Sequence, residues 1–123
     1  MSRIRSKGTK PEIAVRKICH SLGLRFRLHQ KQLPGTPDLV FAKHKSVIFV
    51  NGCFWHSHNC KYGNVHPKTH SDFWQDKRKT TKLRDQQSEI QLNEKGWKVI
   101  TVWECEIRNN RALGIISNFF WSP

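Results

Sequence analysis

The sequence predicts an α/β domain with a mixed central sheet, on three observations. Segments 24–29, 38–41, 46–50 and 97–103 have the alternation or the apolar composition of strands. Segments 9–22, 71–94 and 112–120 carry helical spacing, caps or stops. Their order is helix, three strands, helix, strand, helix, which suits a sheet covered by helices. At 123 residues the chain is long enough for one compact domain with its own core, and too short for two.

Thr9-Lys10-Pro11-Glu12 has the T-x-x-E form of a capping box, with proline tolerated in a first helical turn. Ala14, Val15, Ile18, Cys19 and Leu22 follow at helical spacing, and Gly23 ends the helix. Leu24, Phe26 and Leu28 then alternate with Arg25, Arg27 and His29, the period of a half-buried strand with a basic outer face. Gln30 to Thr36 is a loop, Asp38 to Phe41 a second strand, Ala42 to Lys45 a short turn, and Ser46 to Val50 a third strand pairing back on the second. Gly, Asn, Pro and His make Lys61 to His70 a loop. Ser71 caps a helix running to about Glu94, polar nearly all round, with a basic set of Lys77, Arg78, Lys79, Lys82 and Arg84 and an expected bend at Thr80-Thr81. Gly96 stops it, WKVITVW is a fourth strand, and Ala112 to Phe120 has the apolar face of a closing helix.

Charge narrows the function. Twenty-two Lys and Arg against nine Asp and Glu give +13, which points to a polyanion, most simply nucleic acid, with a membrane surface as the weaker alternative. No run of about 18 apolar residues is present, and Met1-Ser2-Arg3-Ile4 leads into polar sequence, so a soluble, intracellular protein is expected. Four cysteines permit two disulfides, but three fit a metal cluster and Cys19 lies on an apolar helix face, which favours a reducing compartment.

That cluster closes the third strand. In VIFVNGCFWHSHNC, Cys53, His58 and Cys60 form a C-x4-H-x-C set of borderline-soft ligands suited to zinc, and Cys105 follows the fourth strand as a further thiolate. His56 is left over beside it, and a neutral imidazole is the side chain best poised to take a proton near pH 7. Asp38 follows the turn-rich Leu33-Pro34-Gly35-Thr36-Pro37, near the same sheet end. Its hard oxygen suits Mg2+, which needs only one or two protein groups beside substrate phosphate. A Pro-Asp pair is also a common turn dipeptide.

LPGTPDLVF, GCFWHSHNC, DFW and GWKVITVWECEIR together strongly resemble the very-short-patch-repair (Vsr) DNA mismatch endonucleases, over nearly the whole chain. The resemblance implies a fold like that of type II restriction endonucleases. It also implies nicking of duplex DNA 5′ to the thymine of a T·G mismatch left by deamination of 5-methylcytosine. Asp38 then matches the Mg2+-binding aspartate, His56 the catalytic histidine, and Cys53, His58, Cys60 and Cys105 the structural zinc ligands. Glu12 and Asp85 match acidic residues of the active site and its surroundings; each also reads as a helix cap or a surface charge. Phe54, Trp55 and Trp74 match the aromatics wedged into the duplex, and Met1 falls where relatives commonly carry further residues before it, an arm that helps grip DNA. Trp97 and Trp103 read as core. A monomer in the prokaryotic cytoplasm, acting on DNA and alongside mismatch-repair proteins, is the implied setting.

Two positions depart from the pattern. Asn51 stands where some relatives have a histidine at the scissile phosphate; an amide hydrogen-bonds phosphate but moves no proton at neutral pH. Val50 replaces a threonine of some relatives, a swap that a metal contact through the backbone carbonyl tolerates. Two other classes compete: a zinc-stabilised DNA-binding module without catalysis, which leaves Asp38 and His56 unexplained, and a restriction-type endonuclease on unmismatched DNA. The second usually carries E-x-K on the strand after Pro-Asp, which Val47 to Gly52 lacks.

Overall fold

A computed structural model describes residues 9–52 and 71–121, apart from the side chains of residues 71, 72 and 74. Helix α1 (Lys10–Ser21) opens it, with the Thr9 hydroxyl accepting from the Glu12 N–H at 3.4 Å and Pro11 in the first turn. Its C-terminus is a Schellman turn: Gly23 N–H returns to His20 and Leu24 N–H to Cys19, each at 3.0 Å. Four strands follow in the sheet order β1 (Arg27–Leu28), β2 (Leu39–Phe41), β3 (Ser46–Asn51), β4 (Lys98–Trp103). The first two pairings are antiparallel and β3 with β4 is parallel, which makes the sheet mixed as expected.

Leu39, Phe41, Ile48 and Val102 point to one face and bury completely against Val15 and Cys19 of α1 and Ala112 and Ile116 of α4 (Ala112–Trp121). The other face carries Val40 and Val47 under Leu92 of helix α2 (Ser71–Glu94), with Leu33, Phe49, Trp97 and Val99 at its margin. Each fully buried aliphatic or aromatic side chain contributes roughly 1.5–3 kcal/mol, so the alternation along β2 and β3 is what welds both layers to the sheet. Burial also pushes the Cys19 thiol up to about 12, so it stays uncharged in the core.

Three details differ from the sequence reading. Strand β1 holds only Arg27 and Leu28, because Leu24 leaves the Schellman turn into the core and His29 takes a left-handed backbone at φ 47° that ends the pairing. Helix α2 runs unbroken through Thr80-Thr81; the Thr81 hydroxyl donates to the Lys77 carbonyl within the helix, so its hydrogen bond stays inside the ladder. A five-residue helix, α3 (Glu104–Arg108), follows β4 without a loop, its start fixed by Trp103 N–H donating to Glu106 Oε1 at 2.8 Å.

The loop before β2 is a built platform. Thr36 N–H donates to Leu33 C=O at 3.1 Å across Pro34-Gly35, a turn with proline at its second position and a left-handed glycine, φ 76°, at its third. A Cβ on Gly35 would lie 2.7 Å from Ser88 Cβ of α2 and 3.2 Å from the Phe49 ring, so this turn is seated directly on the helix. Pro37, fully buried, then hands the chain to Asp38.

Candidate active site

Asp38 stands at the mouth of β2, and β3 fixes its carboxylate: Val50 N–H donates to Oδ2 at 2.7 Å. The Val50 side chain packs into the main core, so this residue serves the site through its backbone alone. The other carboxylate oxygen, Oδ1, lies 3.9 Å from His29 Nε2. That same ring nitrogen is 3.1 Å from Glu12 Oε1. The left-handed backbone of His29 brings its ring to Glu12 and Asp38, and its N–H pairs with the Asp38 carbonyl at 3.3 Å. Glu12 is buried to 2 % exposure on α1, and its second oxygen accepts from Arg16 Nη2 one turn along the helix.

The three ligand atoms, one each from Glu12, His29 and Asp38, lie within 4.8 Å of one another, close enough to share one cation. The electrostatics fit a cation site. Burial pushes the Asp38 carboxyl up to about 6, and the neighbouring Glu12 charge adds to this against the Val50 hydrogen bond and His29. Glu12 moves the other way: burial acts to raise it, but the hydrogen bonds and charges of His29 and Arg16 together hold it below the usual carboxylate range. The Glu12 charge is thus favoured while burial and Glu12 itself disfavour the Asp38 charge, the condition that a divalent ion relieves.

Glu12 and Asp38 are therefore brought together from α1 and the start of β2. Asn51 ends β3, buried, one residue beyond Val50 and in register with Trp103 of β4. Asp85 is half-buried on the inward stripe of α2 that also holds Arg78, Thr81, Ser88 and Leu92, and is not one of the three converging ligands. That stripe gives a helix read as polar all round a packed side, and it takes Arg78 out of the exposed basic set. Cys105 is buried in the first turn of α3. Trp97 packs at the margin of the second core cluster, and Trp103 is half-buried. Met1, Cys53, Phe54, Trp55, His56, His58, Cys60 and the side chain of Trp74 lie outside the described residues.

Two site residues were not singled out from the sequence, His29 and Arg16. Arg16 had a signal: it stands four residues after Glu12, the helical spacing for an ion pair. Beside β1 a cleft of about 510 Å³ is lined by Arg25, Arg27, Lys43, Gln32 and Trp97 among others, with no acidic residue on its described walls. Lys77, Lys79, Lys82 and Arg84 are exposed on α2.

The description "DNA mismatch endonuclease Vsr" matches residues 1–62 as a family model. The type II nicking enzyme V.XorIIP of Xanthomonas oryzae pv. oryzae is 50 % identical over 113 residues, covering 92 % of this chain and 82 % of that one. The DNA mismatch endonuclease Vsr of Escherichia coli K12 is 38 % identical over 113 residues, covering 92 % and 72 %. In three dimensions the chain superposes on the catalytic domain of the homing endonuclease I-Bth0305I with a TM-score of 0.61 at 19 % identity, over 91 % of this chain and 94 % of that one. The last likeness is one of fold. The sequence matches reach further: relatives 50 % and 38 % identical over 92 % of this chain, with a family model over residues 1–62, establish that this chain belongs to the Vsr family of DNA mismatch endonucleases.

Proposed function

We propose that this chain nicks one strand of duplex DNA 5′ to the thymine of a T·G mismatch, the lesion left when 5-methylcytosine is deaminated, using Mg2+ held at Asp38. The observation that carries the reading is the convergence of Glu12 and Asp38 at the open end of a sheet in a strongly basic, nuclease-like chain. The fold suits a restriction-endonuclease-like assignment, with one difference in wiring: the second carboxylate comes from α1 rather than from E-x-K on the strand after Pro-Asp. Relatives named nicking enzymes support a single-strand cut.

Asp38 would hold the ion through Oδ1, its other oxygen being engaged by Val50 N–H, with the Val50 carbonyl as a further ligand. When bound, Mg2+ supplies charge stabilisation for the phosphate and the leaving oxygen. His56 positions or deprotonates the attacking water. Asn51, at the end of β3, hydrogen-bonds the scissile phosphate without moving a proton. Glu12 adds negative charge on the ion's side of the site, and Asp85 supports it from α2. Phe54, Trp55 and Trp74 enter the base stack beside the mismatch, and residues about Met1 grip the duplex.

A structural Zn2+ on Cys53, His58, Cys60 and Cys105 fits the topology. Asn51 pairs with Trp103 across parallel strands, and the sequence reaches a cysteine two residues beyond each of them. Four protein ligands leave no open position for water, so this ion has a scaffold role. The chain acts as a monomer in the bacterial cytoplasm.

The test is a nicking assay on a labelled T·G duplex and a matched T·A control, with and without Mg2+. Mg2+-dependent cutting of the thymine strand of the mismatch alone is expected, and Asp38→Ala is expected to abolish it. Equal cutting of the T·A duplex, or undiminished activity of the Asp38 variant, rejects the mechanism.

A further inference from the structure

We infer that His29 is a positioning residue of the cation site: it holds the Glu12 carboxylate in place beside Asp38, so that both acids face one ion. The inference rests on reading Asp38 as the cation anchor, and it deepens that reading by naming what lets a second buried carboxylate stand there.

Distance assigns the role. His29 Nε2 is within hydrogen-bond range of Glu12 Oε1 at 3.1 Å but beyond it from Asp38 Oδ1 at 3.9 Å, so with its proton on Nε2 the ring donates to Glu12. Glu12 Oε2 is taken by Arg16. A carboxylate with one donor on each oxygen is fixed in plane and direction, which a single partner does not achieve. The burial makes this necessary: at 2 % exposure Glu12 has almost no water to solvate its charge, and an ionised carboxylate there needs protein donors.

Two further features suit a positioning role. The His29 side chain is only 11 % exposed, so its ring is confined by its surroundings. Its backbone sits at φ 47°, in the left-handed region that few non-glycine residues enter and that histidine tolerates better than most, and its N–H is tied to the Asp38 carbonyl. The residue that orients Glu12 is therefore itself anchored to the residue that holds the ion. An imidazole that orients a carboxylate beside a metal site is the kind of outer partner whose loss lowers metal affinity by about tenfold to a hundredfold.

The experiment measures divalent-cation binding by the full chain without DNA, by calorimetry with Mg2+ and by electron paramagnetic resonance with Mn2+. It compares wild type, His29→Ala, His29→Gln and Asp38→Asn, with melting temperature and mismatch-duplex affinity measured alongside. Glutamine places an amide N–H close to where Nε2 lies, and so keeps the donor to Glu12. His29→Ala is expected to weaken cation binding about tenfold or more and to lower the nicking rate, while duplex affinity holds within about threefold; His29→Gln is expected to recover most of both. If His29→Ala binds cations as the wild type does, the inference is overturned on its own. It is also overturned if His29→Gln is as poor as His29→Ala, and a loss far larger for Mn2+ than for Mg2+ would then make the ring itself a ligand. A wild type that binds no better than Asp38→Asn instead removes the Asp38 anchor itself. Should the alanine variant fail to fold, the glutamine variant still decides: wild-type-like cation binding supports the hydrogen-bond role and a tenfold loss refutes it.

Discussion

Val50 N–H and Asp38 Oδ2 meet at 2.7 Å, so a backbone donor of β3 holds the carboxylate that β2 presents. One hydrogen bond does not compensate an ionised, buried acid beside Glu12, and burial leaves Asp38 titrating at about 6 against 3.8 for the ordinary group. The sign of the consequence is fixed by linkage. Between pH 4 and 6 the folded chain binds the proton that the unfolded chain has released, so the stability present below the unfolded value is lost as pH rises through the folded one. Asp38→Asn in EDTA is therefore expected to be roughly 1–3 kcal/mol more stable than wild type at pH 7.5, with the gap closing towards pH 4. Saturating Mg2+ is expected to stabilise wild type and leave the variant unchanged. Thermal melts across pH with and without the ion check both; a variant less stable than wild type at pH 7.5 in EDTA contradicts the electrostatics.

His56→Ala is expected to lower nicking by roughly 10² to 10⁴, the range for a general acid or base, while binding of the T·G duplex survives. Single-turnover kinetics with a parallel binding titration separate the two. Loss of binding with an unaltered rate at saturation would place His56 in recognition instead.

Purified protein is expected to carry about one zinc per chain, and Cys105→Ser to lose it and melt lower, because Cys105, in the first turn of α3, would tie the end of the last strand to the other three ligands. Elemental analysis of both proteins, with circular dichroism, gives the answer. A wild type without zinc removes the structural-metal reading.

Gly35→Ala is expected to destabilise by roughly 1–3 kcal/mol and to slow nicking, since the new Cβ meets Ser88 and the backbone is left-handed at the turn that delivers Asp38. Gly114→Ala is the contrast. Nothing lies within 4 Å of a Cβ there and the residue is inside α4, so this change is expected to stabilise by roughly 0.5–1 kcal/mol. Denaturant titration of both variants reads the opposite signs.

Exposed Lys77, Lys79, Lys82 and Arg84 on α2, with Arg25, Arg27 and Lys43 around the cleft, predict that log affinity for duplex falls steeply with log salt. Charge reversal at Lys79 and Lys82 is expected to flatten that slope and to leave the melting temperature within a few degrees. Fluorescence anisotropy over a salt series measures it. Trp55→Ala and Trp74→Ala are expected to weaken mismatch binding far more than they lower stability, and the reverse pattern would make these residues core.

Much of this was legible because apolar period and turn chemistry are local. Asp38 to Phe41 and Ser46 to Val50 read as strands from their apolar composition and Leu33-Pro34-Gly35-Thr36 as turn-rich, all from neighbours in sequence, whereas the packing that sets Leu39, Phe41 and Ile48 on one face and Val40 and Val47 on the other leaves no alternation in these apolar runs. The family resemblance points to Asp38 and Glu12, while the cap at Thr9 engages the Glu12 N–H and leaves its carboxylate to His29 and Arg16. Alternation places His29 with Arg25 and Arg27 on an outer face because it assumes extended backbone, and a single left-handed residue breaks that assumption without any mark in composition. The α3 helix leaves no signal for a related reason: β4 passes into it with no Gly, Pro or polar run between them. The inward stripe of α2 is invisible to hydrophobic period because Arg78, Asp85 and Ser88 on it are polar.

The parallel seam between β3 and β4 has a consequence for the order of folding. Ser46 pairs with Lys98 half a chain away, and such a closure is entropically slow, whereas β2 and β3 meet across a single 3-10 turn. Glu12, His29, Asp38 and Val50 all belong to the early-pairing half of the chain, with contacts 17 and 12 residues apart. The Glu12–His29–Asp38 cluster is expected to assemble before the seam closes. Pulse-labelling hydrogen exchange would then find the Val50 amide protected ahead of those of β4, so that the chemistry of this enzyme is laid down first and the scaffold around Cys105 locks behind it.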